Sequence, residues 1–191
     1  MAEATDLTGG NDLIRGYEGD DTIEGGAGLD TLYGDEGVDT IAGGAGDDKI
    51  FGGADNDIIW GDDANAQGMP FNLFGDDKIY GGAGVDAIMG GLGDDTIHGD
   101  EGDDMLYGNA GEDTIYGGDG LDTIDAGTGW DTVFGEDGCD LITSADGGDV
   151  IWLGDCDGSS EQKVTINGTG DDPENFTVIM DFWLESAKPF N

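Results

Sequence analysis

Aliphatic residues recur along this chain once every nine positions, each set between polar or small neighbours. Gly43 to Phe51, GGAGDDKIF, shows the unit: Gly-Gly-x-Gly-x-Asp, then a variable residue, an aliphatic one and another variable one. Counted from Leu7, units begin at residues 7, 16, 25, 34, 43 and 52. A seventh begins at Gly61, is interrupted by about eleven extra residues and resumes at Gly75. Eight more begin at 81, 90, 99, 108, 117, 126, 135 and 144, making fifteen. Position 8 is Ile, Leu or Val in all of them, from Ile14 to Ile151.

Extended backbone turns successive side chains to opposite faces. Positions 7 to 9 therefore predict a short strand with position 8 facing inward. Positions 1 to 6 must reverse the chain, and glycine supplies the positive φ that such a turn needs. Position 4 is Gly in fourteen units; the exception, Asp55, is of a type that visits the left-handed region readily. Two units make one flattened coil of 18 residues: strand, turn, strand, turn. Stacked coils place parallel strands about 4.8 Å apart. The expected fold class is all-β, a solenoid with two repeats per coil around a thin aliphatic core.

Composition changes this picture in one respect. Glycine accounts for 40 of 191 residues with only 3 prolines, yet the regular aliphatic positions exclude both a collagen triplet and a flexible linker. The formal charge is −40, from 45 Asp and Glu against 5 Lys and Arg. Such acidity argues against nucleic acid or anionic membrane as a partner, and self-repulsion opposes any compact state. One buried aliphatic side chain per nine ordered residues does not offset the lost backbone entropy. The chain is therefore either disordered or held together by cations.

The carboxylates that would bind them form a column. Position 6 is Asp in all fifteen units: Asp12, Asp21, Asp30, Asp39, Asp48, Asp57, Asp77, Asp86, Asp95, Asp104, Asp113, Asp122, Asp131, Asp140 and Asp149. Stacking sets like charges about 5 Å apart unless a cation lies between them. Hard oxygen donors, carboxylate and backbone carbonyl, select Ca²⁺ over transition metals.

These units resemble the RTX, or haemolysin-type, calcium-binding nonapeptide GGxGxDxUx, with U a large apolar residue. The resemblance covers about three quarters of the chain. It implies a right-handed parallel β-roll in which each Ca²⁺ lies between one turn and the turn 18 residues on. Carbonyls from positions 2 and 4 of one turn would join those from positions 1 and 3 of the next, with both position-6 Asp side chains. Carried over, one site uses Gly26, Gly28 and Asp30 with Gly43, Ala45 and Asp48. Another uses Gly91, Gly93 and Asp95 with Gly108, Ala110 and Asp113. Full occupancy is about 13 sites, which would reduce the charge to roughly −14. Departures at Leu7, Ala126 and Ser144 (position 1) and Asp55 (position 4) are expected to cost little, because carbonyls are the ligands there. The seventh unit, with its split turn, matches the pattern least well of all the sites.

Other features lie outside the repeat pattern. Position 9 of the odd units reads Arg15, Tyr33, Phe51, Tyr80, His98, Tyr116, Phe134, Trp152, a nearly unbroken aromatic stripe on one face. It reads either as a self-stacking ladder or as a docking face for a protein or glycan. The insertion near residues 62–71 leaves the repeat register intact on both sides and predicts a surface loop. Cys139 and Cys156 fall on adjacent turns of one column, within reach of a disulfide; two free thiols is the other reading. Asp155 and Asp157 are placed to complete the last site.

The expected organisation is an N-terminal tail at 1–6, the calcium-binding roll at 7–158 and a C-terminal β cap at 159–191. By the same resemblance that last region is the candidate type I secretion signal, and flanking domains of a longer protein are expected. The chain holds no apolar run long enough for a transmembrane helix, and MAEATDLTGG does not read as a Sec signal peptide. There is no HExxH, no GxSxG and no Ser–His pairing, so the expectation is no enzyme. The sequence reads as a calcium-dependent folding module of a secreted bacterial protein, with adhesion through the aromatic face as the alternative.

Overall fold

The computed structural model describes residues 9–62, 75–145, 147–156, 163–166 and 177–179. The 1–6 tail and the insertion beyond Asp62 lie outside the described residues, as does most of 159–191. The described regular structure is all strand, arranged as two parallel sheets. One sheet stacks β1 (Leu13–Glu18), β3 (Thr31–Glu36), β5 (Lys49–Ala54), β7 (Lys78–Ala83), β9 (Thr96–Glu101), β11 (Thr114–Asp119), β13 (Thr132–Asp137), β15 (Val150–Trp152) and β17 (Thr177–Ile179). The other stacks β2 (Thr22–Ala27), β4 (Thr40–Ala45), β6 (Ile58–Asp62), β8 (Ala87–Leu92), β10 (Met105–Ala110), β12 (Thr123–Asp125), β14 (Leu141–Ser144) and β16 (Lys163–Ile166). Odd and even repeats thus form opposite faces of a parallel β-roll.

The core is the position-8 file. Ile14 and Ile23 at the N-terminal end are 8% and 3% exposed, and every one from Leu32 to Ile151 is fully buried. Each side chain stacks on its equivalent in the coil above and below, as in Ile50↔Ile79 and Ile79↔Ile97.

Most strands are longer than the three residues expected. They run through positions 7 to 9 into positions 1 to 3 of the next unit, as in Lys49–Ala54. Between β5 and β7 the register pairs Lys49↔Lys78, Ile50↔Ile79, Phe51↔Tyr80, Gly53↔Gly82 and Ala54↔Ala83, passing over position 1. The cause is a left-handed residue at position 2, which re-aims the chain without ending the ladder. Non-glycine residues accept it too: Tyr17, Asp35, Asp100, Asn109 and Glu136 have φ of 79°, 78°, 75°, 75° and 67°. The turn proper shrinks to positions 4 to 6. At Gly46 glycine is favoured twice over, since its φ is 113° and a β-carbon on it would collide with the carbonyl oxygen of Gly28, while Asp55 takes the same position with φ 77°.

The register survives the insertion, with β5 paired to β7 and β6 to β8. At the far end the repeat runs further than its consensus does. Leu153 takes position 1 with 6% exposure, Gly154 takes position 2 with φ 69°, and Asp155 bridges Asp137. Beyond that, β16 and β17 pair in parallel with β14 and β15 at the positions of a further coil. Within the segment expected as a cap, these two strands continue both sheets.

Two features of the sequence find their places. The stripe stacks as a ladder: Tyr33, Phe51, Tyr80, His98, Tyr116, Phe134 and Trp152 lie face to face, with successive centroids 4.4–6.0 Å apart. Arg15 closes its N-terminal end, 5.0 Å from the Tyr33 ring and paired with Asp35. Cys139 and Cys156 form a disulfide with a Cα–Cα distance of 4.8 Å, tying adjacent turns together.

Candidate metal centres

Each position-6 Asp closes a turn immediately before its strand, so the core file and the carboxylate file are built by the same register. The position-7 amide that follows donates to the position-6 carbonyl of the preceding coil, as Thr96 does to Asp77 at 2.8 Å. This fixes the Asp backbone and drives the side chain under the turn. From Asp30 to Asp149 the position-6 residues are at most 3% exposed.

The two oxygens of each carboxylate have different fates. Oδ1 accepts the backbone N–H of the Asp one coil earlier: Asp12 to Asp30, Asp30 to Asp48 and Asp39 to Asp57, each at 2.8 Å. The ladder crosses the insertion through Asp48 to Asp77 at 2.7 Å and Asp57 to Asp86 at 2.8 Å. It continues through Asp77 to Asp95, Asp95 to Asp113 and Asp131 to Asp149 at 2.8, 2.8 and 2.9 Å. Oδ2 is buried without a hydrogen-bond partner in Asp12, Asp21, Asp30, Asp39, Asp48, Asp57, Asp77, Asp86, Asp95, Asp104, Asp113, Asp122, Asp131 and Asp140. An orphaned buried carboxylate oxygen is costly, and here the orphan repeats in every coil.

The space that Oδ2 faces is lined by position 1. A β-carbon at Gly117 would lie 2.6 Å from Asp122 Oδ2 and 2.5 Å from the carbonyl oxygen of Gly135, the position-1 residue one coil on. At Gly25 both corresponding distances, to Asp30 Oδ2 and Gly43 O, are 2.6 Å. Glycine keeps open a cradle between a carboxylate oxygen and a carbonyl, at the position the strand register passes over. Position 1 departs from glycine at Ser144. Its hydroxyl donates to Asp149 Oδ2, so that carboxylate lacks the orphan of the others.

Burial raises these carboxyls far above the ordinary value of 3.8. Asp77 is pushed up to about 9 and Asp95 to about 8, while Asp48, Asp57, Asp122 and Asp131 reach about 7. Asp86, Asp113 and Asp140 rise to about 6, and Asp39 and Asp104 rise as well. Loss of solvent is the main cause; neighbouring carboxylates add to it for most, and the amide bond from the preceding coil opposes it. Without a cation, Asp77 and Asp95 favour the protonated form at neutral pH, where the unfolded chain would be ionised.

The two sites carried over from the resemblance are brought together in part. Asp30 Oδ2 and the Gly43 carbonyl converge beside Gly25, and Asp95 Oδ2 and the Gly108 carbonyl converge beside Gly90. Gly26 stacks on Gly44, and Gly28 on Gly46, through carbonyl oxygens. Gly91 pairs with Asn109 and Leu92 with Ala110. The Ala45 and Ala110 carbonyls already accept the N–H groups of Gly28 and Gly93, at 2.8 and 3.0 Å. Among the described residues no three acidic, His or Cys side chains gather closely enough to hold a metal on their own. Any ion must therefore share carboxylates with carbonyls. One orphaned carboxylate oxygen and one facing carbonyl per repeat, both hard donors, fit Ca²⁺.

A second ladder, at position 5, carries no consensus signal. Asn11, Asp20, Asp47, Asn56, Asp76, Asp94 and Asp103 each accept, through Oδ1, the position-5 amide of the next coil. The recurrence of Asp and Asn at a nominally free position was the available clue.

Among curated proteins, no relative matches the chain. The family model for the RTX calcium-binding nonapeptide repeat does match, over residues 7–41, 33–66, 73–97, 89–124, 98–132 and 125–155. With those segments spanning most of a roll whose turns line up one buried carboxylate per repeat, the chain belongs to the RTX calcium-binding repeat family.

Proposed function

We propose that this chain is a calcium-dependent folding module of a secreted bacterial protein, and that its position-6 aspartates are the metal ligands. The observation that carries the reading is the file of buried, partnerless Oδ2 atoms facing carbonyls. Bound Ca²⁺ would supply the positive charge that lets adjacent carboxylates remain ionised and buried. At about 13 ions the binding free energy is folding free energy. Where calcium is scarce the chain would stay expanded by self-repulsion; at about 10⁻⁴–10⁻³ M, the range of extracellular modules, it would fold. The Cys139–Cys156 disulfide supports an oxidising, extracellular setting. The type I secretion route, a signal within 159–191 and flanking domains belong to the same proposal, as does the absence of a catalytic role. His98, the one His, is stacked between Tyr80 and Tyr116.

The test is the hydrodynamic radius of the reduced chain in chelator and in millimolar Ca²⁺. A radius of an expanded coil that contracts with calcium supports the proposal. One equally small radius in both states overturns it.

Adhesion through the aromatic face is a second reading, supported by charge. Positions 7 and 9 of the odd strands from β1 to β15 hold no carboxylate, in a chain with 45. Glycan-array and ice-recrystallisation assays that are blank for the calcium-loaded chain would remove it.

A further inference from the structure

Position 1 is glycine in twelve of the fifteen units, and of the exceptions, Leu7, Ala126 and Ser144, only Ser144 has a polar side chain. Ser144 is fully buried at the end of β14. Its hydroxyl donates to Oδ2 of Asp149, five residues on in the same unit. That is the oxygen left without a partner in the position-6 carboxylates from Asp12 to Asp140. Oδ1 of Asp149 keeps its ordinary role and accepts the Asp131 amide at 2.9 Å. Both oxygens of Asp149 are therefore engaged by the protein itself. The strand register differs here as well. The ladder between β5 and β7 passes over position 1, whereas that between β14 and β16 includes it, pairing Ser144 with Ile166.

The other column of turns changes at the same end of the roll. Among the described residues its last orphaned carboxylate is Asp140, whose Oδ2 faces Gly135 together with the Leu153 carbonyl. One coil on, position 6 is by count Gly158, so no carboxylate follows in that column. Cys156, at position 4 of that last unit, is instead bonded to Cys139, at position 5 of the unit one coil earlier. In both columns, then, the repeat goes on past the last orphaned carboxylate, and another kind of bond appears where it does.

We infer that the metal column ends before the repeats do: the Ser144 hydroxyl plugs the cradle of the fifteenth unit and silences the site between Asp131 and Asp149, so that one calcium ion fewer binds than the repeat pattern allows. The inference rests on the proposed calcium reading and narrows it at this one site. An ion entering there would have to displace a donor already aimed at the oxygen it needs. It would also meet a side chain in the space that glycine keeps open beside Asp30 and Asp122. The C-terminal end of the roll is then held by strand pairing, the Ser144 hydrogen bond and the disulfide in place of metal.

The test counts bound calcium at saturation by equilibrium dialysis in the full chain, with circular dichroism following β structure and the calcium midpoint. The variants are Ser144→Gly, Ser144→Ala, Ser144→Gly combined with Asp149→Asn, and Asp95→Asn. Ser144→Ala removes the donor alone and reproduces the thirteenth unit, where Ala126 leaves Asp131 Oδ2 without a partner. It keeps the test readable if the glycine variant fails to fold. Ser144→Gly is expected to bind one ion more than the wild type, and the combined variant to return to the wild-type count. A count unchanged in both single Ser144 variants means that Asp149 already binds calcium, and the inference falls. A lost ion or a raised midpoint in them means that the hydroxyl is itself a ligand, and the inference falls again. In either case Asp95→Asn still raises the midpoint, by about tenfold, so the calcium reading stands. A wild type that binds no calcium removes both.

Discussion

The backbone N–H of Asp77 donates to Oδ1 of Asp95 at 2.8 Å, while Oδ2 of each is buried with no hydrogen-bond partner. One oxygen per carboxylate builds the stack and the other is left over. Asparagine at position 95 would preserve the first function and halve the second. Asp95→Asn is therefore expected to weaken calcium binding, with a midpoint about tenfold higher, while making the metal-free chain less prone to expand. Calcium titration monitored by circular dichroism, with scattering in chelator, measures both effects. An unchanged midpoint would remove Asp95 from the ligand set.

The raised carboxyls give the metal-free fold a definite pH dependence. Asp77 and Asp95, at about 9 and about 8 when folded, lie above the ordinary value of 3.8 in the unfolded chain. Between those limits the folded state binds more protons than the unfolded one, so its stability falls as pH rises. In chelator, acidification from pH 8 toward 4 is expected to increase β structure. With calcium the direction reverses, because the ion competes with those protons. Its apparent affinity should drop from pH 8 to 6, and binding at pH 7 should release protons into a weakly buffered solution. A proton count of zero at pH 7 would contradict this.

The core file is uniform in the middle and frayed at the start. Ile97 is fully buried between coils, whereas Ile14 is 8% exposed at the end of the stack. Ile97→Ala should cost about 2–5 kcal/mol, and Ile14→Ala less. Urea unfolding at saturating calcium compares the two. Equal costs would mean that the roll does not unfold as the stacked coils imply.

Much of this was legible in the residues. Position 8 announced the core and position 6 the carboxylate column, because both must recur in every coil. Position 9 announced the stripe, though the face-to-face stacking of its rings needed coordinates. Strand length was missed, since Asp35, Asp100 and Glu136 do not look like strand residues, and only their left-handed φ keeps the ladder going. The position-5 bonds were missed because Leu29, Val38 and Leu121 share that column and accept nothing; they only donate.

Cys139 and Cys156 are 17 residues apart and clamp the last repeats together. Closing a loop of that size constrains the unfolded chain by about 3 kcal/mol. Reduction is expected to raise the calcium midpoint and to loosen β14 to β17 before the rest. Hydrogen exchange with and without reductant reads this directly, and protection lost uniformly along the chain would contradict it.

The central claim is that calcium, not the aliphatic file, makes this chain fold. The most direct measurement is a far-UV circular dichroism titration from chelated protein, with Ca²⁺ and, separately, Mg²⁺. The account requires a steep coil-to-β transition with Ca²⁺ alone. β structure already present in chelator at neutral pH, unchanged by calcium, would contradict it.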